Sequence, residues 1–85
     1  MHRDFIITNE QGIHARPATN LVQKANQFKS TISLTFNGVT TDLKSIMGVL
    51  SLGVTRGSLV SIHITGEDEL EAMQEITKLI NTINM

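Results

Sequence analysis

The spacing of apolar residues switches between two periods along this 85-residue chain, and that switching limits the folds it can adopt. Alternating apolar residues predict strands within 32–36, 39–43 and 60–64, and the apolar run at 5–7 predicts a first strand. Apolar residues three and four apart predict a helix from about Ala15 to Phe28, and a last helix after Gly66. The dipeptide Asn37-Gly38 between two alternating stretches is typical of a two-residue β-hairpin.

A further short helix is predicted between the hairpin and the last strand. Residues 44–53 have helical apolar spacing, although Gly48 costs a helix about 1 kcal/mol relative to alanine. We expect Ser45 to cap this helix and Gly53 to end it. In the last helix, Asp68 and Glu71 have the spacing of a capping box. The order βαββαβα predicts an α+β fold, with an antiparallel sheet covered on one face by helices.

Composition excludes several classes of function. The chain has no cysteine, which excludes disulfides, thiolate metal sites and thiol nucleophiles. A net charge of −1, with no tryptophan or tyrosine, argues against nucleic-acid binding. No segment has the length or pattern of a membrane span or a signal peptide, so we expect a cytoplasmic protein with no membrane insertion. The histidines and carboxylates lack the spacing of metal ligands, and we expect neither a metal nor a cofactor.

Without cysteine, the candidate nucleophiles are histidine, hydroxyl, lysine and carboxylate side chains, most of which are expected on solvated faces. The three histidines differ in position. His2 stands at a terminus expected to fray, and His63 points outward on the last strand, so both are expected to have plain surface roles. His14 immediately precedes a helix, where unpaired backbone N–H groups and the helix dipole favour an attached anion. A neutral imidazole can attack phosphorus without a separate general base. His14 is therefore the candidate phosphoryl acceptor.

Two neighbours strengthen this hypothesis. Arg16 carries the planar donor fork that pairs with phosphate oxygens, and Pro17 fixes the backbone of the first helical turn. On spacing alone, a surface histidine that makes a modest capping contact explains His14 as well as a phosphoryl acceptor does. The residues by themselves leave both interpretations open.

Two motifs carry a family resemblance. Residues 12–18, Gly-Ile-His-Ala-Arg-Pro-Ala, resemble the active-site signature of the HPr phosphocarriers of the sugar phosphotransferase system. Residues 44–53 resemble the regulatory-serine segment of the same family, at the expected distance. The resemblance covers the whole chain and implies a single domain, 1–85. It also implies an open-faced β-sandwich, with a four-stranded antiparallel sheet covered on one face by three helices.

The resemblance implies a phosphoryl carrier rather than an enzyme. His14 would take a phosphoryl group on Nδ1 from phosphoenolpyruvate by way of enzyme I, and would pass it to sugar-specific enzyme IIA domains. Arg16 would steady the group, and Pro17 would start the helix. Residues 44–53 favour a role in sugar uptake over a nitrogen-linked phosphorelay.

The resemblance further implies regulation and docking. Ser45 would be phosphorylated by an ATP-dependent serine kinase, which would slow transfer to His14 and create a binding site for a catabolite-control transcriptional regulator. A short helix cannot bury all of Ile46, Met47 and Leu50, which leaves a surface for several partners. Taken singly, Met47 or Leu50 is explained equally well as a core residue. Arg16, Lys24 and Lys44 would surround it with positive charge. We expect a monomer whose partner-binding residues are Ala15, Thr19, Lys24, Ile46, Met47 and Leu50.

Three other functions are compatible with parts of the sequence. A regulatory-only paralogue of the family would lack the phosphorylatable histidine, whereas this chain retains His14. A small hydrolase of the acylphosphatase type would need a glycine-rich phosphate loop ahead of a helix, and no such loop is apparent. A ligand-binding module of ferredoxin-like topology would bind a metabolite without any need for His14. Neither the hydrolase nor the module explains both motifs.

Overall fold

The computed structural model describes residues 1–85 and has four strands and three helices. In chain order these are β1 (His2–Ile6), α1 (Ala15–Ala25), β2 (Thr31–Phe36), β3 (Val39–Asp42), α2 (Ile46–Ser51), β4 (Leu59–Thr65) and α3 (Glu69–Ile83). The strands form one antiparallel sheet in the order β1-β4-β2-β3, and the helices cover one face of it. The predicted open-faced α+β fold is confirmed. No helix is long and apolar enough to cross a membrane.

Alternation along the strands explains why only one face is covered. In β4, Val60, Ile62 and Ile64 are fully buried beneath the helices, whereas the intervening His63 is exposed on the other face. The same alternation buries Ile32 of β2. Since successive side chains of a strand point to opposite faces, one apolar set per strand is enough to build a single core. That core contains 17 buried apolar residues contributed by strands, helices and loops.

The hairpin between β2 and β3 follows the prediction. Asn37 and Gly38 both have positive φ, 56° and 79°, as a type I′ turn requires. The turn pairs Phe36 with Val39 and sets the register of the two strands. Strand β3 therefore returns along β2 with no extra residue at the turn.

Helix α1 ends at Ala25, so the prediction that it continues to Phe28 was wrong. The side chain of Asn26 donates to the carbonyl oxygens of Val22, at 2.8 Å, and Lys44, at 3.2 Å, which stabilises a stop at this point. After it, Phe28 N–H donates to Ala25 O in a tight turn. Phe28 still packs against the core. The apolar periodicity therefore outlasts the helix, and spacing alone could not reveal the end.

The predicted capping box of α3 was also wrong. Asp68 occupies the N-cap position, but its side chain makes no capping hydrogen bond. Its carboxylate instead accepts from Lys29 N–H at 2.9 Å, from Ser30 N–H at 3.0 Å, and from the Ser30 hydroxyl. These bonds, led by the Ser30 hydroxyl and the Lys29 N–H, lower the pKa of Asp68 below its ordinary value. Asp68 thus ties the start of α3 to the loop before β2.

The amino-terminal residues were expected to fray, but they are held in the sheet. The Met1 nitrogen donates to Ile64 O at 2.9 Å, and Ile64 N–H donates to Met1 O at 2.8 Å. His2 is the first residue of β1 and pairs with His63 of β4. The ladder of β4 therefore holds the first residues of the chain in the sheet.

Asp68→Asn is expected to destabilise the fold at neutral pH and to flatten the acid limb of its stability curve. Because folding lowers the pKa of Asp68 from 3.8, its carboxylate stabilises the fold fully above that value and progressively less as pH falls through the folded value. Urea unfolding followed by circular dichroism from pH 7 to pH 2.5 measures both effects. Glu67→Gln removes an exposed carboxylate without a hydrogen-bond partner and serves as the control. Parallel curves for wild type and Asp68→Asn would contradict the assignment.

Candidate functional site

The backbone of His14 is set by its place at the start of α1. His14 is the N-cap residue, with extended φ and ψ of −90° and −168°, and its carbonyl accepts from Ala18 N–H at 3.0 Å. Its imidazole makes no capping hydrogen bond and is half-exposed. The ring nitrogens are therefore not occupied by the helix that positions the residue, which leaves them available for chemistry.

The first turn of α1 presents donors and no negative charge beside His14. The N–H groups of Ala15 and Arg16 have no acceptor, and Pro17 has no N–H to offer. No acidic residue lies in this turn, and the guanidinium of the exposed Arg16 makes no ion pair. Two free backbone donors, the positive end of the helix dipole and an uncommitted guanidinium suit a bound phosphoryl group.

A close backbone contact places the loop before His14. Gly12 has a φ of 65°, and a Cβ atom there would collide with the carbonyl oxygen of Val54. One residue on, Ile13 is buried and its N–H donates to the same Val54 oxygen at 3.0 Å. This bond joins the residue before His14 to the loop that follows α2. Glycine at position 12 is needed both for its backbone conformation and for the close approach of the two backbone segments.

The end of α3 is hydrogen-bonded to the first residues of the loop that connects β1 to α1. The Asn84 side chain accepts from Thr8 N–H and donates to Ile6 O, both at 2.9 Å. In return, the Asn9 side chain donates to Ile83 O at 2.9 Å. An open cleft of about 390 Å³ lies between the start of α1 and the end of α3. Its lining includes His14, Arg16, Pro17, Asn20, Thr82 and Met85. Sequence reasoning missed Asn9 and Asn84, because polar residues near loops and helix ends are too common to identify partners 74 or more positions apart.

Ser45 has the structural role that its sequence position predicts. It is the N-cap of α2, and its Oγ accepts from Gly48 N–H at 3.1 Å. The residue is half-buried, and the preceding Lys44 N–H donates to the Asp42 carboxylate at 2.9 Å. The hydroxyl therefore lies at a helix N-terminus, where added negative charge does not oppose the dipole.

Helix α2 leaves apolar side chains uncovered, as expected for so short a helix. Val49 is buried, Ile46 is half-buried, and Met47 and Leu50 are 75% and 39% exposed. On α1, Ala15 and Thr19 are exposed. We call the exposed set Ala15, Thr19, Met47 and Leu50, with Ile46 at its edge, the apolar patch.

Of the three basic residues predicted around this patch, two are already engaged within the chain. Lys24 is half-buried and forms an ion pair of 3.8 Å with Glu75 of α3. Lys44 Nζ donates to Phe28 O at 2.8 Å. Arg16 forms neither an ion pair nor a side-chain hydrogen bond within the chain. Of the three basic side chains, it alone can bind an anion without first breaking such a contact.

Comparisons with known proteins agree on one family. Residues 1–82 match the family described as "PTS HPr component phosphorylation site". The chain is 38% identical to HPr-C-His from Thermoanaerobacter tengcongensis, with a TM-score of 0.93 over 99% of this chain and 94% of that one. A histidine-containing phosphocarrier protein of Mycoplasma is 35% identical, with a TM-score of 0.95 over 100% and 98%. Crh, a catabolite repression protein of Bacillus subtilis, is 38% identical, with a TM-score of 0.77 over 89% and 87%.

Gly12→Ala is expected to destabilise the fold and to disturb His14, whereas Gly53→Ala is its matched control. Both glycines have a φ of 65°, but the space around Gly53 is open, so only the backbone strain of about 1–2 kcal/mol applies there. At position 12 the collision with Val54 adds an overpacking cost of about 1–3 kcal/mol. Urea unfolding compares the two free energies of unfolding, and the His14 ring proton shifts report on the site by NMR. Equal losses with an unchanged His14 spectrum would contradict this role of Gly12.

Proposed function

The chain belongs to the HPr family of phosphocarrier proteins of the phosphotransferase system, and on that premise we propose that it carries its phosphoryl group on His14. The observation that carries the proposal is the placement of a half-exposed imidazole beside two unpaired backbone donors and the free guanidinium of Arg16. The hydrolase and the ligand-binding module offer no comparable account of this turn. The fixed N–H donors of this turn suit an anion that binds reversibly.

The transfer needs no acid or base from this chain. The lone pair of Nδ1 of a neutral His14 attacks the phosphorus of a phosphorylated donor, the bond from that phosphorus to the donor atom breaks, and the donor atom leaves with the bonding pair. The hydrogen on Nε2 stays in place, so no net proton transfer accompanies the step. Arg16 and the N–H groups of Ala15 and Arg16 then hold the phosphoryl oxygens. The reverse bond change, onto an acceptor protein, completes the relay.

Enzyme I is the proposed donor, and sugar-specific enzyme IIA domains are the proposed acceptors. The apolar patch is the proposed docking surface, because the Ile13–Val54 hydrogen bond brings the exit of α2 next to the loop that precedes His14. Met47 is unbranched and 75% exposed, which suits contact with several differently shaped partners. Lys24 remains a proposed contact, since its pairing with Glu75 is exchangeable at a partly exposed site. The carrier is consumed and regenerated stoichiometrically and is not itself an enzyme.

Ser45 is the proposed regulatory site. A serine kinase would esterify its Oγ at the N-terminus of α2, where the helix tolerates about two added negative charges. Those charges would stand beside Ile46 and Met47 and repel an acidic enzyme I surface. The phosphorylated face would also be the one that a catabolite-control transcriptional regulator binds. The cap itself remains useful to the fold in the absence of the kinase.

The alternative is a regulatory-only protein. Its specific support is the similarity to Crh, which is as similar in sequence to this chain, at 38% identity, as the T. tengcongensis phosphocarrier is. The retention of His14 with Arg16 and Pro17 favours the relay. Crh is described as an intertwined dimer with a swapping domain. We propose a monomer for this chain, because a relay that presents one face to several partners needs that face uncovered.

Wild-type protein incubated with phosphoenolpyruvate and catalytic enzyme I is expected to gain one acid-labile phosphoryl group, measured by intact-mass spectrometry. His14→Ala is expected to gain none, because no other imidazole lies in a comparable turn. His63→Gln is the matched control and should be phosphorylated like wild type, since His63 lies on the open face of the sheet. Equal phosphorylation of His14→Ala would overturn the assignment of the acceptor. An inert wild type, with enzyme I active on another carrier, would favour the regulatory-only alternative.

Ser45→Asp is expected to slow phosphorylation by enzyme I at least about tenfold, because the new carboxylate repels the docking partner. Ser45→Ala separates this effect from the cap, since it removes the capping oxygen at a cost of about 1 kcal/mol but adds no charge. Initial rates at several ionic strengths provide the measurement, and salt should reduce the defect of Ser45→Asp only. Equal rates for Ser45→Asp and wild type would contradict electrostatic control at this site.

A further inference from the structure

The open face of the sheet holds a histidine pair that sequence spacing could not reveal. His2 of β1 and His63 of β4 are direct partners across the two strands, although 60 residues separate them. Both side chains are exposed, and their rings are stacked with centroids 5.1 Å apart and an angle of 17° between the planes. Neither imidazole has a hydrogen-bond partner in the chain. The two rings are therefore accessible, adjacent and uncommitted.

The register of the strands explains their proximity. Met1 and Ile64 exchange both backbone hydrogen bonds, at 2.9 and 2.8 Å, so they form a hydrogen-bonded pair. In an antiparallel ladder the next pair is then of the non-hydrogen-bonded type, in which opposing side chains come closest. His2 and His63 occupy that position. The sheet thus brings two imidazoles together by its backbone geometry.

The charges around the pair favour a cation. Asp4 follows His2 by two residues on β1 and so shares the open face, where it accepts from Ser61 at 2.6 Å. Asp42 lies on the same face, across Ser33 from His63. Arg3 points the other way, and its guanidinium donates to Thr77 Oγ1 of α3 at 3.1 Å. The open face near the pair therefore carries carboxylates, while the neighbouring positive side chain is directed to the helical face.

We propose that His2 and His63 form a two-histidine binding site for divalent transition metals, of the class Cu²⁺, Ni²⁺ and Zn²⁺. Each imidazole supplies one nitrogen lone pair after a rotation about its side-chain bonds, which the exposed position allows. No group of three or more histidine, cysteine or carboxylate side chains is available, so water or an external ligand completes the coordination. Hard cations such as Mg²⁺ prefer oxygen ligands and should not bind here.

Binding at this site would act on the sheet rather than on phosphoryl transfer. The metal would cross-link the edge strand β1 to the central strand β4, on the face opposite the helices. Because the ion binds the folded pairing and not the separated strands, it should raise the thermal midpoint in proportion to the logarithm of its concentration. A metal at about a hundred times its dissociation constant should raise Tm by on the order of 10 °C.

Isothermal titration with Zn²⁺ and with Cu²⁺ tests the proposal on the full chain, with Mg²⁺ as the negative ion. Wild type should bind one equivalent, with Cu²⁺ tighter than Zn²⁺. His2→Gln and His63→Gln should each bind about a hundredfold more weakly, because a chelate of two linked ligands becomes a single one. His14→Gln should bind like wild type. Circular dichroism without metal confirms that the exposed substitutions leave the fold intact, and Tm with Zn²⁺ provides a second readout.

Each other result has a defined meaning. Unchanged Cu²⁺ affinity in His63→Gln would show that the amino-terminal nitrogen and His2 bind copper without the pair, and would overturn the proposal. Loss of binding in His14→Gln would place the metal at the helix N-terminus instead. No binding by wild type would also reject the site. A rise in Tm with Zn²⁺ that disappears in both His2→Gln and His63→Gln would support it.

Discussion

The pairing of β4 on both of its edges is the constraint on which the rest of the molecule depends. Residues 59–65 bond to β1 on one side and to β2 on the other, so the strand joins the start of the chain to its middle. Its inward residues, Val60, Ile62 and Ile64, are fully buried and form the floor on which the helices pack. Because three core side chains each contribute about 1.5–3 kcal/mol of burial, this strand cannot be displaced without losing the core. The meeting of His2 with His63 follows from this pairing.

A sheet covered on one side gives this small protein two unlike surfaces. On the helical side, the loop before the start of α1 contacts the loop after the end of α2, and the candidate phosphoryl site lies at this contact. Its parts come from three separated segments: the connection that runs from the Asn9 turn to His14, the Val54 loop and the end of α3. On the open side, alternation leaves polar side chains in rows across the strands, and one row contains His2 and His63. A face that packs against nothing is free to hold such a row.

Interactions between distant segments also account for the places where local rules failed. Asp68 and Asn26 both stand at helix ends, where sequence rules expect each to serve its own helix. Asp68 turns instead to Lys29 and Ser30, and Asn26 also reaches Lys44. A carboxylate that meets three donors in another loop gains more than it would from a single capping bond. Gly12 follows the same logic, since the reason for a glycine there lies in the backbone of Val54.

Sequence alone determined the element order, the single apolar face of each strand and helix, the hairpin at Asn37-Gly38 and the caps at His14 and Ser45. These features are local, because periodicity, turn conformation and helix ends depend on residues a few positions apart. It also singled out His14, Arg16 and Pro17, which lie within one turn. Tertiary structure alone decided the strand order, the end of α1, the partners of Asp68 and Asn84, and the meeting of His2 with His63. Those depend on which segments become neighbours, and contacts between residues 18 to 78 positions apart leave no spacing in the sequence by which to recognise them.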